Sequence, residues 1–446
     1  MTSPTITETH QVQARPHSFT RSRMRSYMLF FLVAMHIPLG IAMHQSEVLA
    51  TSHCIGSTII GVALAISGNV RQTIMALWYI SVAEVLWRMT GGSLSWEYGK
   101  YACALISITL VVRRRLFHFR QPYHYFYFAL LIPSIFVMSP IDLKEVRFNL
   151  SGPFCLTAFM ILMERTRIGQ PEIIDTLRAI IPPALAVAAI ATFTTVGAGS
   201  LYITQSSHVT SGGFGPNQVS STIGAGIYAC LILAFHKKGL LRVILVLVSF
   251  WLIGQCLLTF SRGGIWTTGV ALLVLCVGFL RSTDARRATL MIGPIVAVFL
   301  WTILLPYLNS LTSNQMSERL SDVSSTGRFD MLVGDLTVFL ENPFLGVGPG
   351  GSKTMHEEVF YYAASHTEQT RMLAEHGILG AFSLILLLGT IIFRCFDPRQ
   401  SKSASYLKLS LAAWGLFYMV HAAFRSALPG LMIAFATSQP DRRTDE

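Results

Sequence analysis

Charge is scarce in this chain. Only 13% of its 446 residues are Asp, Glu, Lys or Arg, about half the share of an ordinary soluble domain. With 52% hydrophobic residues and a mean hydropathy of +0.52, a single soluble core is excluded. Many membrane-spanning helices of about 20 apolar residues each are expected instead. Cysteine patterning is absent too. The seven cysteines (Cys54, Cys103, Cys155, Cys230, Cys256, Cys276, Cys395) lie in or beside apolar runs without a CxxC pair. They read as small hydrophobes, not as a disulfide framework or a metal site. Acidic residues are few, 23 against 34 Lys and Arg. In a soluble protein that balance would suggest nucleic acid. Here cytoplasmic loops are the more economical home for it, so the expected partners are membrane lipids and no nucleic acid. No small-residue cleavage site follows the first apolar run. The polar stretch Met1–Ser26, with Arg15, Arg21, Arg23 and Arg25, therefore reads as a tail before a retained helix.

What is abundant is apolar sequence. Runs fall at 27–43, 48–66, 73–87, 98–112, 123–138, 149–163, 177–196, 219–235, 241–259, 264–280, 290–307 and 377–395. An alternating path with the N-terminus inside puts 22 Lys and Arg in inner segments up to Lys408 and ten in outer ones, as the positive-inside rule requires. The expected fold is all-α: a polytopic membrane protein of about 12 transmembrane helices, with a large extracytoplasmic loop before the last clear span. The divisions are 1–26, a cytoplasmic tail; 27–307, the bundle of about 11 helices; 308–371, an outer catalytic loop; 372–437, C-terminal helices; and 438–446, a polar tail. Residues 408–437, interrupted by Pro429-Gly430 and carrying Arg425, fit one long helix or a returning pair. No internal repeat is evident.

Two outer segments are long: Gly197 to Gln218, rich in Ser, Gly and Thr, and the 64 residues from Leu308 to Arg371. A connection of the second length is a candidate functional region. Inside it, Phe329, Leu332, Val333, Leu336, Phe339 and Leu340 recur at helical spacing, so Arg328 to Leu340 is expected as an amphipathic helix at the outer interface or over the bundle. Asn342-Pro343 stops it, and the Gly346–Gly351 turn follows. That turn lacks the GK[ST] ending of a phosphate loop and reads as flexible. Ser365-His366-Thr367-Glu368 fits a capping box with Ser365 as N-cap. His366 would then open a helix whose positive end keeps its imidazole neutral, the form a general base needs.

Ser261-Arg262-Gly263-Gly264 stands at the outer start of the tenth run. The helix end favours an anion, the glycines bare their backbone, and the Arg262 fork suits phosphate oxygens. Arg262, Arg328 and His366 come from separate stretches, yet the path puts all three outside. Outer carboxylates are too scattered for a glycosidase pair. Glu84 and Arg88, one turn apart, are expected to pair inside the membrane.

These residues also carry a family resemblance. Leu258-Thr259-Phe260-Ser261-Arg262-Gly263-Gly264 resembles the Ser-Arg-Gly signature of the O-antigen ligase and O-antigen polymerase superfamily. Ser325-Thr326-Gly327-Arg328 with Asn342-Pro343-Phe344-Leu345-Gly346-Val347-Gly348 resembles its outer-loop pattern. Ser365-His366-Thr367-Glu368 through Leu379-Gly380 resembles its histidine helix. Directly, the likeness covers about 220–395. It implies an inverting, metal-independent glycosyltransferase that uses a polyprenyl-diphosphate-linked glycan donor and a glycan or lipid-anchored glycan acceptor, with no cofactor. It further implies that His366 activates the acceptor hydroxyl while Arg262 and Arg328, with Gly263 and Gly264, bind the donor diphosphate. Many ligases have Asn after the histidine. Thr367-Glu368 here is closer to exopolysaccharide polymerases, which leaves the acceptor open. Further substrate contacts are expected from Arg147, Lys144, Arg88, Asn217, Glu368 and Arg371. The competing readings are a transporter or flippase for a glycan or anion, and O-oligosaccharide transfer to protein. A metal site from His356, Glu357, Glu358 and His366 lacks HExxH spacing.

Overall fold

The computed structural model describes residues 33–92, 94–116, 122–197, 205–280, 298–322, 328–353 and 367–439. The tail 1–26 and the residues Ser365 and His366 lie outside these ranges. Among the described residues, regular structure is helical, and a single isolated bridge joins Arg167 to Gln439. A bilayer offers backbone groups no water, so each segment pairs its own. The first half of the chain runs through α1 (His36–Gln45), α2 (Glu47–Ser67), α3 (Val70–Met89), α4 (Tyr98–Arg113), α5 (Tyr123–Ala129), α6 (Leu143–Arg165), α7 (Gln170–Thr176) and α8 (Ile181–Gly197). The second half has α9 (Pro216–His236), α10 (Leu240–Leu258), α11 (Arg262–Phe279), α12 (Leu305–Leu311), α13 (Gln315–Ser321), α14 (Arg328–Glu341), α15 (Glu368–Cys395), α16 (Lys402–Ala422) and α17 (Leu428–Ala436).

Six helical stretches among the described residues are long and apolar enough to cross a membrane, which makes this a helical, multi-pass membrane protein. The other apolar runs are short, broken or charged. α3 carries Glu84 and Arg88 within its buried face. The run 123–138 is interrupted: Pro133, without an N–H, starts a separate 3-10 turn over Pro133–Val137 after α5 ends at Ala129. α6, α8 and α9 are mostly buried, whereas α2, α10 and α15 form the periphery. Large aromatics fill the centre, including Trp78 stacked on Phe435 of α17 at 4.7 Å.

The charged residues at the helix ends sort into two groups. Arg88, Trp96, Gln218, Glu368 and Arg425 gather at one end, and Arg71, Arg114, Arg165 and Arg167 at the other. The first end is the one that loop charge leads one to expect outside, and it is called outer below. Residues 408–437 resolve into the returning pair. α16 breaks at Ala423, and α17 brings Ser438 to accept from Lys408 Nζ at 2.7 Å and Gln439 alongside Arg167 at the inner end.

α14 spans Arg328–Glu341, as its periodicity indicates, and its apolar stripe faces outward. Phe329 is 63% and Leu340 76% exposed, while Met331, Asp335 and Val338 are the buried face. Asp335 accepts from Thr370 at 2.6 Å, so a polar contact fixes the helix to α15. The Gly346–Gly351 turn is packed, not loose. α15 is broken at Gly377 (φ 60°, ψ −142°), and carbonyls near the break are taken up: Val347 N–H donates to Ala374 O at 3.1 Å, and Gly348 N–H to Glu375 O at 3.0 Å. Gly346 (φ 66°) lies so near the 374–376 backbone that no Cβ would fit.

Candidate active site

The Ser261 turn is built by neighbouring helices. Ser261 is the N-cap of α11, yet its hydroxyl does not cap; it donates to Asn217 Oδ1 of α9 at 2.8 Å and accepts from Ser220 at 3.0 Å. Capping comes from across the interface, because Gly264 N–H donates to Ser220 Oγ at 3.3 Å. Ser220 and Gly224 of α9 face Gly264 and Thr268 of α11, a four-residue spacing of small side chains that lets two membrane helices touch backbone to backbone. This corrects the expectation for Gly264: its N–H and its bare face are engaged by α9. Gly263 leaves room for a side chain, the imidazole of His421 on α16.

Arg262, the first residue of α11, donates to the main-chain oxygen of Asp322. Arg319 of α13 donates to Phe260 O at 3.0 Å and pairs with Asp322 at 3.0 Å. Burial, then the charge of Arg262, lower the pKa of Arg319, while Asp322 opposes them. Phe260 has φ 53° and Ala423 φ 50°, and such left-handed residues cost about 1–3 kcal/mol each. Both flank this region.

Arg328 begins α14, six residues after Asp322, so the chain holds the two within about 20 Å; its side chain is outside the description. His366 is likewise outside it. Its neighbour Thr367 is the N-cap of α15 and donates to Val420 O at 3.1 Å, beside the His421 that packs on Gly263. The N-cap is thus Thr367, not Ser365. Glu368 does not reach back as in a capping box, because its carboxylate accepts from Arg371 and from Phe424 N–H at 3.2 Å.

Next to this region lies an outer cavity of about 370 Å³, lined in part by Trp96, Lys100, Lys144, Glu145, Phe148 and Arg425. Asn217 and Gln218 connect the two places, the first holding Ser261 and the second accepting from Arg88 at 2.8 Å. Several of the expected substrate contacts have other work here. All five Arg88 N–H groups are engaged, by Glu84, Gln218, Trp96 O and Arg425 O, and Trp96 lies under its guanidinium at 4.4 Å. Arg371 is likewise bound to Glu368, Glu375 (2.8 Å) and Asn149 (2.8 Å). Arg88, Arg371 and Glu368 are thus paired, as buried membrane charges must be, and Glu368 and Arg371 also line the cavity. Lys144 is exposed on the cavity wall, Asn217 holds the Ser261 turn, and Arg147 is exposed on α6 away from the cavity wall.

Two residues passed over by the motif reading stand at this site. His421 is buried, with Nδ1 3.0 Å from Phe417 O and Nε2 3.0 Å from Ser221 Oγ. Nδ1–H donates to the Phe417 carbonyl, while the Ser221 hydroxyl beside Nε2 also donates to Asn217 O at 2.8 Å. Arg425 lines the cavity, and its guanidinium has no hydrogen bond or ion pair among the described residues. An arginine interrupting an apolar run was the available signal. Among the described residues no group of three His, Cys, Asp or Glu could hold a metal ion.

No curated protein matches the chain. The family model for O-antigen ligase matches residues 245–385, a stretch that begins in α10, contains the Ser261 turn and the outer loop, and ends in α15. By that match, residues 245–385 of the chain are similar to the O-antigen ligase family.

Proposed function

We propose that this protein transfers, or polymerises, a polyprenyl-diphosphate-linked oligosaccharide at the outer face of the cytoplasmic membrane, with inversion at the reacting sugar carbon. In this reading the bundle crosses the membrane about twelve times, residues 308–371 form the catalytic loop, and the product enters cell-surface polysaccharide. His366 takes the proton of the acceptor hydroxyl as its oxygen attacks the anomeric carbon, and the bond to the diphosphate breaks. Arg262 and Arg328 carry the charge that develops on the departing diphosphate, so no acid is required. Arg425 and Lys144 extend positive charge along the adjoining cavity.

One observation carries the reading: Arg262 is tied to Asp322 in the loop that leads to Arg328, while Thr367, next to His366, is tied to the helix end packed on Gly263. Purified protein in liposomes with a polyprenyl-diphosphate oligosaccharide provides the test. Release of polyprenyl diphosphate is expected, and His366→Ala should abolish it while the protein remains inserted. Arg262→Lys should be severely impaired, because a point charge replaces a fork. A ladder of lengths identifies a polymerase and a single adduct a ligase. Unchanged release by His366→Ala would refute the mechanism, and labelled glycan crossing the bilayer without release would make the protein a transporter.

A further inference from the structure

At the opposite, inner end lies a second cavity of about 410 Å³, between the start of α3, the end of α4 and the segment joining α6 to α7. Four guanidinium-bearing residues line it, Arg71, Arg114, Arg165 and Arg167, against a single carboxylate, Glu172. Arg71 is tied to Asp175, and Arg114 donates to Gly68 O at 2.8 Å. The guanidiniums of Arg165 and Arg167 make no hydrogen bond or ion pair among the described residues; Arg167 is exposed and Arg165 half-buried. The positive-inside rule explains why arginines occupy these loops. It does not explain why four converge on one cavity, where like charges repel unless an anion joins them.

We propose that this cavity binds the phosphate of an anionic inner-leaflet phospholipid. Guanidinium forks match phosphate oxygens, and basic pockets between membrane helices on the cytoplasmic side suit anionic headgroups. The remaining walls decide between a lipid and a soluble phosphate compound. Ile74, Leu116 and Ile168 line the same cavity, so the ligand has an apolar part beside its phosphate. Glu172 stands at the rim as an acceptor for a headgroup hydroxyl or amine.

The site is independent of the outer chemistry and is tested without any glycan donor. Detergent-purified protein is offered phosphatidylglycerol, phosphatidylcholine or glycerol phosphate, and retained ligand is read by native mass spectrometry. One phosphatidylglycerol per chain is expected to be retained in preference to phosphatidylcholine. The double variant Arg165→Gln/Arg167→Gln removes two cations whose guanidiniums make no hydrogen bond or ion pair among the described residues. It should bind phosphatidylglycerol roughly 30-fold more weakly, about fivefold per arginine. Lys238→Gln, an exposed inner-end charge outside the cavity, should leave binding unchanged. Equal retention of phosphatidylcholine, or wild-type binding by the double variant, would overturn the site. Glycerol phosphate binding as tightly as intact lipid would overturn the lipid assignment in favour of a soluble phosphate compound.

Discussion

Two glycines on one helix should respond oppositely to the same substitution. A Cβ on Gly264 would fall within the carbonyl group of Ser220 and 2.9 Å from Ser221 N. Both obstacles are backbone, so no rotamer change relieves them, and α9 and α11 must part by roughly 1 Å to restore normal contact. Overpacking that side chains can absorb costs about 1–3 kcal/mol, and here the upper end applies. Separation also lengthens the 3.3 Å bond from Gly264 N–H to Ser220, worth about 1 kcal/mol. Alanine's better helix propensity returns about 1 kcal/mol. The net expectation for Gly264→Ala is a loss of about 3 kcal/mol, seen as a fall of roughly 3 °C in the Tm of detergent-purified protein. Gly269, five residues on, is exposed with nothing within 4 Å of its added Cβ. Gly269→Ala should hold or slightly raise Tm. Equal Tm values for the two variants would refute the close-packing account of the Gly263-Gly264 pair.

Arg371→Lys replaces five fixed donors with at most three and leaves Glu368 and Glu375 under-bonded in a buried site. A cost of about 3–5 kcal/mol is expected, read as lost monodisperse protein in size exclusion. Arg425→Gln should leave Tm within about 1 °C of wild type, because its guanidinium has no partner to strand. Under the proposed function it should raise the donor KM about tenfold, the value of one charge-assisted hydrogen bond; unchanged KM would remove Arg425 from the donor path. Asp397 is held below the ordinary carboxylate range first by hydrogen bonding from the Arg399 side chain. Its contribution to stability is thus present above the unfolded value of about 4 and is lost as pH falls through the lower folded value. The Tm difference between wild type and Asp397→Asn should accordingly shrink as pH is lowered from 7 towards 3.5.

Much of this architecture was legible because the bilayer simplifies the code. Apolar runs and the period of 328–340 marked most helices among the described residues, and the α14 boundaries differ by one residue from those expected. Which way α14 turns was not legible. Periodicity reports that a helix is two-faced, but Asp335 meeting Thr370, between buried Met331 and Val338, decides which side is the docked one. The Gly346–Gly351 turn misled in a similar way. Glycines that suggest looseness in a sequence also permit close backbone approach, and here they seal the break at Gly377. At the outer site, the motif residues Arg262 and Asn217 fall together. Arg88 and Arg371 had the right type and the right side, yet their ion-pair partners leave no donor over. His421 could not be found by pattern, since its place depends on α16 lying against Gly263.

The outward stripe of α14 has a consequence for the membrane itself. Phe329, Val333, Leu336 and Leu340 offer their apolar surface to whatever surrounds the helix, and an apolar stripe of this kind would lie at the acyl–headgroup boundary of a bilayer. The vertical position of Arg328, at the first turn, is then referenced to the lipid surface as well as to α15. A thinner or thicker bilayer moves that reference plane while the bundle keeps its length, and tilt or local deformation must absorb the mismatch at fractions of a kcal/mol per ångström. With α14 held at that boundary, lipid chain length would become a control on how far this helix start stands from Arg262, adjustable without altering a single residue.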